Sequence, residues 1–377
     1  MTLSRRHMLI SGLTIAAAGA VPRFAYAAAA TPRRLVFVIQ RGAADGLAIV
    51  APTGDPAYAA ARGALAEEAG GASLNGLFTL HPALAAGADL YRAKQAHFAH
   101  AVATAYRDRS HFDGQNVLEG GGSRPYEKSD GWVGRLLTLL PAAEREALAI
   151  APAVPLALRG SAPVATYAPS RLPQADADLI ARLSALYAGD ALLHPLWDSA
   201  VKTQELAGDI GGNNGRNGAD LGKLAASLML PADGARAMMI ETGGWDTHSG
   251  QRGRLTAQLR GLDQLVGALQ VGLGPAWNDT LVVVATEFGR TVAVNGTGGT
   301  DHGTGSAAMF FGGALAGGGP VAGGMVSADW PGLSVANRLD GRDLKPTRSL
   351  ESVIGAAIAH HYALDPARVM RTLYPDA

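Results

Sequence analysis

The sequence predicts an α/β protein: a doubly wound, mostly parallel sheet with helices on both faces. Three observations predict it. Short, unbroken apolar runs recur along the chain, each run ends in a polar loop bearing glycine or arginine, and stretches of helical period fill the intervals. Strands alternating with helices make such sheets, and ligands in them sit beyond the carboxyl ends of the strands. With 377 residues, 48% hydrophobic and 17% charged, the chain can bury a core that needs no staples.

The first element is an address. Arg5 and Arg6, an apolar stretch over residues 9–21 and the small-residue end Ala25-Tyr26-Ala27 read as a cleavable twin-arginine signal at 1–27. That signal implies the twin-arginine export machinery as a partner and a periplasmic or secreted destination. The run is too short, and too diluted by Ser, Thr and Gly, to be a permanent membrane span. Residues 28–377 then read as one α/β domain. Its first strand, 34–40, feeds the loop Arg41-Gly42-Ala43-Ala44-Asp45-Gly46. Further strands follow at 96–102, 237–240 and 280–285, the last feeding Thr286-Glu287-Phe288-Gly289-Arg290. Helical periods cover 134–140, 183–187 and 255–269. The region at about 120–222 reads as a cap or insertion, and its end, 208–222, as a flexible glycine- and asparagine-rich loop. That loop is no phosphate loop, since no strand feeds it and Leu224, not Ser or Thr, follows Lys223.

Composition closes several routes. Lys plus Arg and Asp plus Glu both total 32, so the electrostatic footprint of a general nucleic-acid binder is missing. There is no cysteine, which excludes disulfides, thiolate nucleophiles, iron–sulfur clusters and Cys-ligated zinc. Any metal must be held by His and carboxylates, and ten His are available. Five polar clusters follow apolar runs: Asp45; Arg109-Ser110-His111; Asp246 with His248; Glu287 with Arg290; and Asp301-His302. In a parallel sheet their loops converge at one edge, making a basin of carboxylate and imidazole suited to a divalent cation such as zinc or manganese.

Each cluster carries a plainer role beside the chemical one. Asp246 and His248 are two apart, so an extended segment projects both to one face, but Gly243-Gly244-Trp245-Asp246 is also ordinary turn chemistry. Asp301 and His302 diverge in a strand and meet only in a loop. Ser110 stands before a helical segment, as an N-cap or as a hydroxyl nucleophile, with Arg109 and the helix dipole stabilising a transferred anion. His111 donates to an oxyanion or merely packs. Arg41 and Arg290 grip phosphate or sulfate oxygens or close surface salt bridges. His97, His100, His360 and His361 read as packing or surface residues, and Trp132, Trp245 and Trp277 as core or pocket walls.

The twin-arginine leader, Arg41-Gly42-Ala43-Ala44-Asp45-Gly46, His81-Pro82, Arg109-Ser110-His111-Phe112, Gly131-Trp132, Trp245-Asp246-Thr247-His248, Thr286-Glu287-Phe288-Gly289-Arg290-Thr291 and Asp301-His302-Gly303 together resemble the exported family known as domain of unknown function 1501. The resemblance spans nearly the whole mature chain and implies the alkaline-phosphatase-like, sulfatase-like fold. In that superfamily a metal-activated Ser, Thr or formylglycine attacks phosphate or sulfate esters. It implies Asp45 as the carboxylate after the first strand, Ser110 as nucleophile, and His248 and His302 as metal histidines. One departure stands out: Glu287-Phe288 replaces the superfamily's Asp-His pair, and Phe ligates nothing, so one of two metal positions is weakened or missing. No formylglycine signature surrounds Ser110.

Two functions follow. The first is an exported metal-dependent hydrolase of phosphate or sulfate esters, with a small-molecule ester as substrate. Arg109, Ser110 and His111 are then catalytic, Arg41 and Arg290 bind substrate, and Asp45, Asp246, His248, Glu287, Asp301 and His302 surround a divalent ion of zinc, manganese, magnesium or calcium. The alternative is a non-catalytic envelope binding or assembly protein that keeps the fold with a degraded metal site.

Overall fold

The computed structural model describes residues 32–376, apart from 69, 143–145, 169–176, 199, 202, 204–216 and 233. The leader expected at 1–27 and the larger part of the loop expected at 208–222 lie outside the described residues.

A nine-stranded sheet organises the chain. Its strands are β1 (Arg34–Gln40), β2 (Ala96–Ala103), β3 (Ala147–Ile150), β4 (Val164–Thr166), β5 (Ala237–Thr242), β6 (Thr280–Ala285), β7 (Ser306–Phe311), β8 (Met325–Ser327) and β9 (Arg348–Ser349). They lie in the order β8-β2-β7-β6-β1-β5-β3-β4, with β9 also on β2. Every pairing is parallel except those of β7 with β2 and β6. The sheet is therefore mostly parallel, in a mixed α/β fold.

Unbroken apolar strands arise because both faces are covered. On β1, Val36 and Val38 enter one core while Leu35, Phe37 and Ile39 enter the other, all five at 0% exposure. The first core includes side chains of α2 (Ala85–Arg92), α5 (Gly218–Met229) and α6 (Gln251–Leu273). The second includes α4 (Trp132–Leu139), α7 (Leu350–Tyr362) and α8 (Pro366–Leu373). Two further helices, α1 (Gly46–Ile49) and α3 (His111–Gly120), start past the ends of β1 and β2. Strands β3 and β4 come from the 120–222 region and extend the sheet beyond β5. A four-residue and a three-residue strand leave too short an apolar run to be recognised in sequence.

Register explains why the polar loops meet. Gln40 pairs with Thr242, and Ile39 with Ala285, so β1, β5 and β6 finish level with one another. Val102, near the end of β2, lies against Ser306, where the antiparallel β7 begins. The loop before β7 thus arrives at the edge from which the other four loops leave.

Two buried histidines set an acid limit. His100 hydrogen-bonds through Nε2 to the carbonyls of Val50 (2.9 Å) and Gly46 (3.2 Å), and burial pushes its pKa from 6.5 down to about 4. His361 bonds the Arg34 carbonyl at 3.0 Å, and burial, with the charge of Arg33, pushes it to about 3. The unfolded chain protonates these rings near 6.5 and the folded chain only below about 4, so unfolding takes up protons in between. Their stabilising contribution is whole above 6.5 and is lost as pH falls, by about 1.4 kcal/mol per unit for each ring. We expect denaturant midpoints to drop steadily from pH 6.5 to 4. His361→Phe should lower the proton uptake derived from that slope by about one.

Candidate metal centre

Four side chains from three loops meet at this edge. His111, Asp246 and His302 offer ligand atoms that all lie within 4.8 Å of one another. His248 adds its Nε2, 3.0 Å from Asp246 Oδ1 and 3.0 Å from His302 Nε2. His302 Nε2 stands 3.3 Å from Asp246 Oδ1, and His111 Nε2 stands 3.4 Å from Asp246 Oδ2. Four donors each 2.0–2.1 Å from one ion at tetrahedral angles would be roughly 3.3–3.4 Å apart. Asp246 Oδ1 and the Nε2 atoms of His248 and His302 lie 3.0 to 3.3 Å from one another and approach that spacing, while His111 Nε2 faces the second oxygen, Asp246 Oδ2.

Local structure fixes which nitrogens face inward. Ser110 is the N-cap of α3, with extended backbone, and places His111 at the helix start. His111 Nδ1 donates to Glu287 Oε1 at 2.9 Å, and Phe288 stacks on its ring at a centroid distance of 5.1 Å. Arg109 has a left-handed backbone (φ 59°), which aims its carbonyl at His302 Nδ1, 2.9 Å away. His248 Nδ1 donates to Asp301 Oδ1 at 3.2 Å. With all three Nδ1 atoms serving as donors, a neutral ring presents a lone pair at Nε2. Two such lone pairs face each other at 3.0 Å between His248 and His302, an arrangement that calls for a shared cation. The buried Nε2 of His111 makes no hydrogen bond, because its 3.4 Å approach to Asp246 lacks hydrogen-bond geometry. Acceptor, histidine, metal is the usual order of such shells.

Electrostatics agree with this division. The hydrogen bond to Glu287 raises the pKa of His111. Burial, with the charge of His111, lowers that of His302. Burial disfavours the Asp246 anion, but the hydrogen bond and charge of Arg290 outweigh it and hold the carboxyl below its usual range. Glu287, also buried, is likewise held low by His111, Gln115 and the Gly42 amide. Side-chain exposures between 24% for His111 and 46% for His248 leave the cluster open to solvent on one side.

Two glycines let the loops approach. Gly42 lies at φ +119°, and a Cβ there would meet the Asp246 amide nitrogen at 2.6 Å. A Cβ on Gly299 would lie 2.2 Å from the His248 backbone.

The profile described as "Protein of unknown function (DUF1501)" matches residues 99–355. The chain belongs to this family. In this DUF1501 protein the matched span contains His111, Asp246, His248, Glu287, Arg290 and His302, while Arg41, Asp45 and Arg62 precede it. Among solved structures, the C-terminal periplasmic domain of EcEptC from Escherichia coli, in complex with Zn, aligns over 76% of this chain and 74% of that chain. Its identity is 8% and its TM-score 0.39. No curated protein matches the chain.

The residues nominated from the sequence take different places in the structure. Asp45 is not beside the cluster's ligand atoms: its carboxylate is 1% exposed, ion-paired with Arg62, and caps α1 through the Leu47 amide. Glu287 and Asp301 hold the outer nitrogens of His111 and His248 rather than joining the inner shell. His111, expected among the catalytic residues, offers a nitrogen to the candidate ligand group. Arg41 and Arg290, expected at substrate, and Arg109, expected among the catalytic residues, are all paired within the protein. Arg41 pairs with Glu119 and Glu241, Arg109 with Asp343, and Arg290 with Asp246 and Thr300. Ser110 is half-buried, and its side chain makes no capping bond. Gln251, Thr300 and Arg62 brace the ligand loops, yet no motif marked them. Only the place of Gln251, three residues after His248, offered a signal.

Proposed function

We propose that this protein is an exported metal-dependent hydrolase of phosphate or sulfate esters, on an alkaline-phosphatase-like, doubly wound sheet. One observation carries the reading: three imidazoles, each fixed at Nδ1 by an oxygen acceptor, turn their Nε2 atoms toward one carboxylate. The residues fit a metal ion, with His111, His248, His302 and Asp246 as its holders. A donor set rich in imidazole suits zinc or manganese better than calcium or magnesium. A bound ion of this kind polarises an ester oxygen as a Lewis acid. Glu287, Asp301 and the Arg109 carbonyl keep the rings oriented, and Arg290 keeps Asp246 ionised. Ser110, adjacent to His111 and free of capping duty, is the nucleophile in this reading. The protein reaches the periplasm or beyond through the twin-arginine machinery, and its substrate is a small ester.

A second reading is favoured by the internal pairing of Arg41, Arg109 and Arg290, each of which already holds a carboxylate of the protein. It is a non-catalytic envelope binding or assembly protein that retains the centre. Among the described residues no helix is long and apolar enough to cross a membrane.

Metal analysis of the purified protein, paired with turnover of aryl phosphates and aryl sulfates before and after chelation, separates the two. Hydrolysis lost on chelation and restored by zinc or manganese supports the enzyme; metal without turnover supports the binding protein. In the enzyme, Ser110→Ala lowers kcat by about a thousandfold or more while metal content stays unchanged. An unchanged rate in that variant removes the covalent step.

A further inference from the structure

The loops that carry the ligands are tied together from behind by one amide. Gln251, the first residue of α6, is 0% exposed. Its Nε2 donates to Asp45 Oδ2 at 2.5 Å, and its Oε1 accepts from Thr247 Oγ1 at 2.9 Å and Thr300 Oγ1 at 2.6 Å. Thr247 sits between Asp246 and His248, and Thr300 just before Asp301 and His302. Both threonines are 0% exposed.

The hydrogen bonds run in one direction. Asp45 Oδ2, ion-paired with the buried Arg62 guanidinium, accepts from Gln251, so the Gln251 amide turns its nitrogen there and its oxygen toward the threonines. Thr300 spends its proton on Gln251, which leaves its oxygen to accept from Arg290 Nε at 3.2 Å. Arg290 Nη1 then reaches Asp246 Oδ1 at 2.6 Å. No member can be reversed without leaving a buried donor or acceptor unmatched.

We propose that Gln251 is a positioning residue for the metal centre, reading the charge of Asp45 through its amide and fixing both ligand loops and Arg290 in the metal-holding arrangement. This rests on the metal reading above. Removal of an outer-shell partner typically weakens metal binding by about 10–100-fold.

The test is a titration of the full mature chain with zinc and with cobalt(II), the latter read by its visible absorption, for wild type and three variants. Gln251→Met keeps length and loses the amide. It should bind at least tenfold more weakly and give a cobalt spectrum of altered shape and intensity. Asp263→Ala, which removes the caps on the Ala86 and Gly87 amides, serves as a destabilised control and should bind as wild type does. Gln251→Glu keeps an acceptor for both threonines but sets a second carboxylate against Asp45 Oδ2, and should bind at least tenfold more weakly than wild type. Wild-type affinity and spectrum in Gln251→Met overturn the positioning role and leave the metal reading standing. Equal weakening in Asp263→Ala overturns it too, by making the loss one of general stability. If wild type binds neither ion, the metal reading falls, and this role with it.

Discussion

His302→Ala should reduce metal content from stoichiometric to near zero, the largest functional loss expected of any single substitution in this protein. His302 Nε2 approaches both His248 Nε2 and Asp246 Oδ1, and its Nδ1 is fixed by the Arg109 carbonyl, so no neighbouring nitrogen can swing into its place. The loss can be read without any substrate. A ligand present at 1,000 times its Kd stabilises the folded state by about 4 kcal/mol. Wild-type protein should therefore melt well above its chelated form, and His302→Ala at one temperature with or without metal. His302→Phe keeps a ring against Phe288, 5.3 Å from it, and should match the alanine variant in metal content while retaining more stability. His360→Ala, an exposed site on α7, should bind as wild type does. Equal metal content in wild type and His302→Ala would mean that the ion binds elsewhere.

The long strands were legible because their burial is two-sided: residues 35–39 and 281–285 are unbroken apolar runs. Convergence of the polar loops followed from parallel topology alone. The loop at 301–305 reaches the same edge for a different reason, since β7 is antiparallel and starts where its neighbours end, a reversal that apolar content does not encode. Inner and outer roles were not legible either. Glu287 and Asp246 are both acids past strand ends, and only the direction of His111, whose Nδ1 turns to one while its Nε2 turns to the other, assigns them. Asp45 shows the same limit from the other side. A carboxylate after the first strand looks like a ligand until its partner is known, and Arg62 comes from a short helical turn with no chemical motif around it.

That pair carries the largest stability effect we expect. Arg62→Met should destabilise the protein by about 3–5 kcal/mol, because it strands a carboxylate at 1% exposure with its guanidinium gone. The cost is specific to breaking the pair. Arg62 Nη1 also donates to the carbonyls of Thr291 (3.2 Å) and Val292 (3.1 Å), so the substitution loosens the chain just after Glu287 and Arg290 as well. Adding Asp45→Asn to Arg62→Met removes the stranded charge while keeping an oxygen for the Leu47 amide. Urea denaturation of wild type, the single variant and the double variant separates the contributions. The double variant should recover part of the loss at pH 7, the remainder reflecting the new amide nitrogen at position 45 set against Gln251 Nε2. Should the two denature alike at pH 7, the buried charge is not what Arg62 offsets, and its hold on the Thr291 and Val292 carbonyls becomes the dominant role.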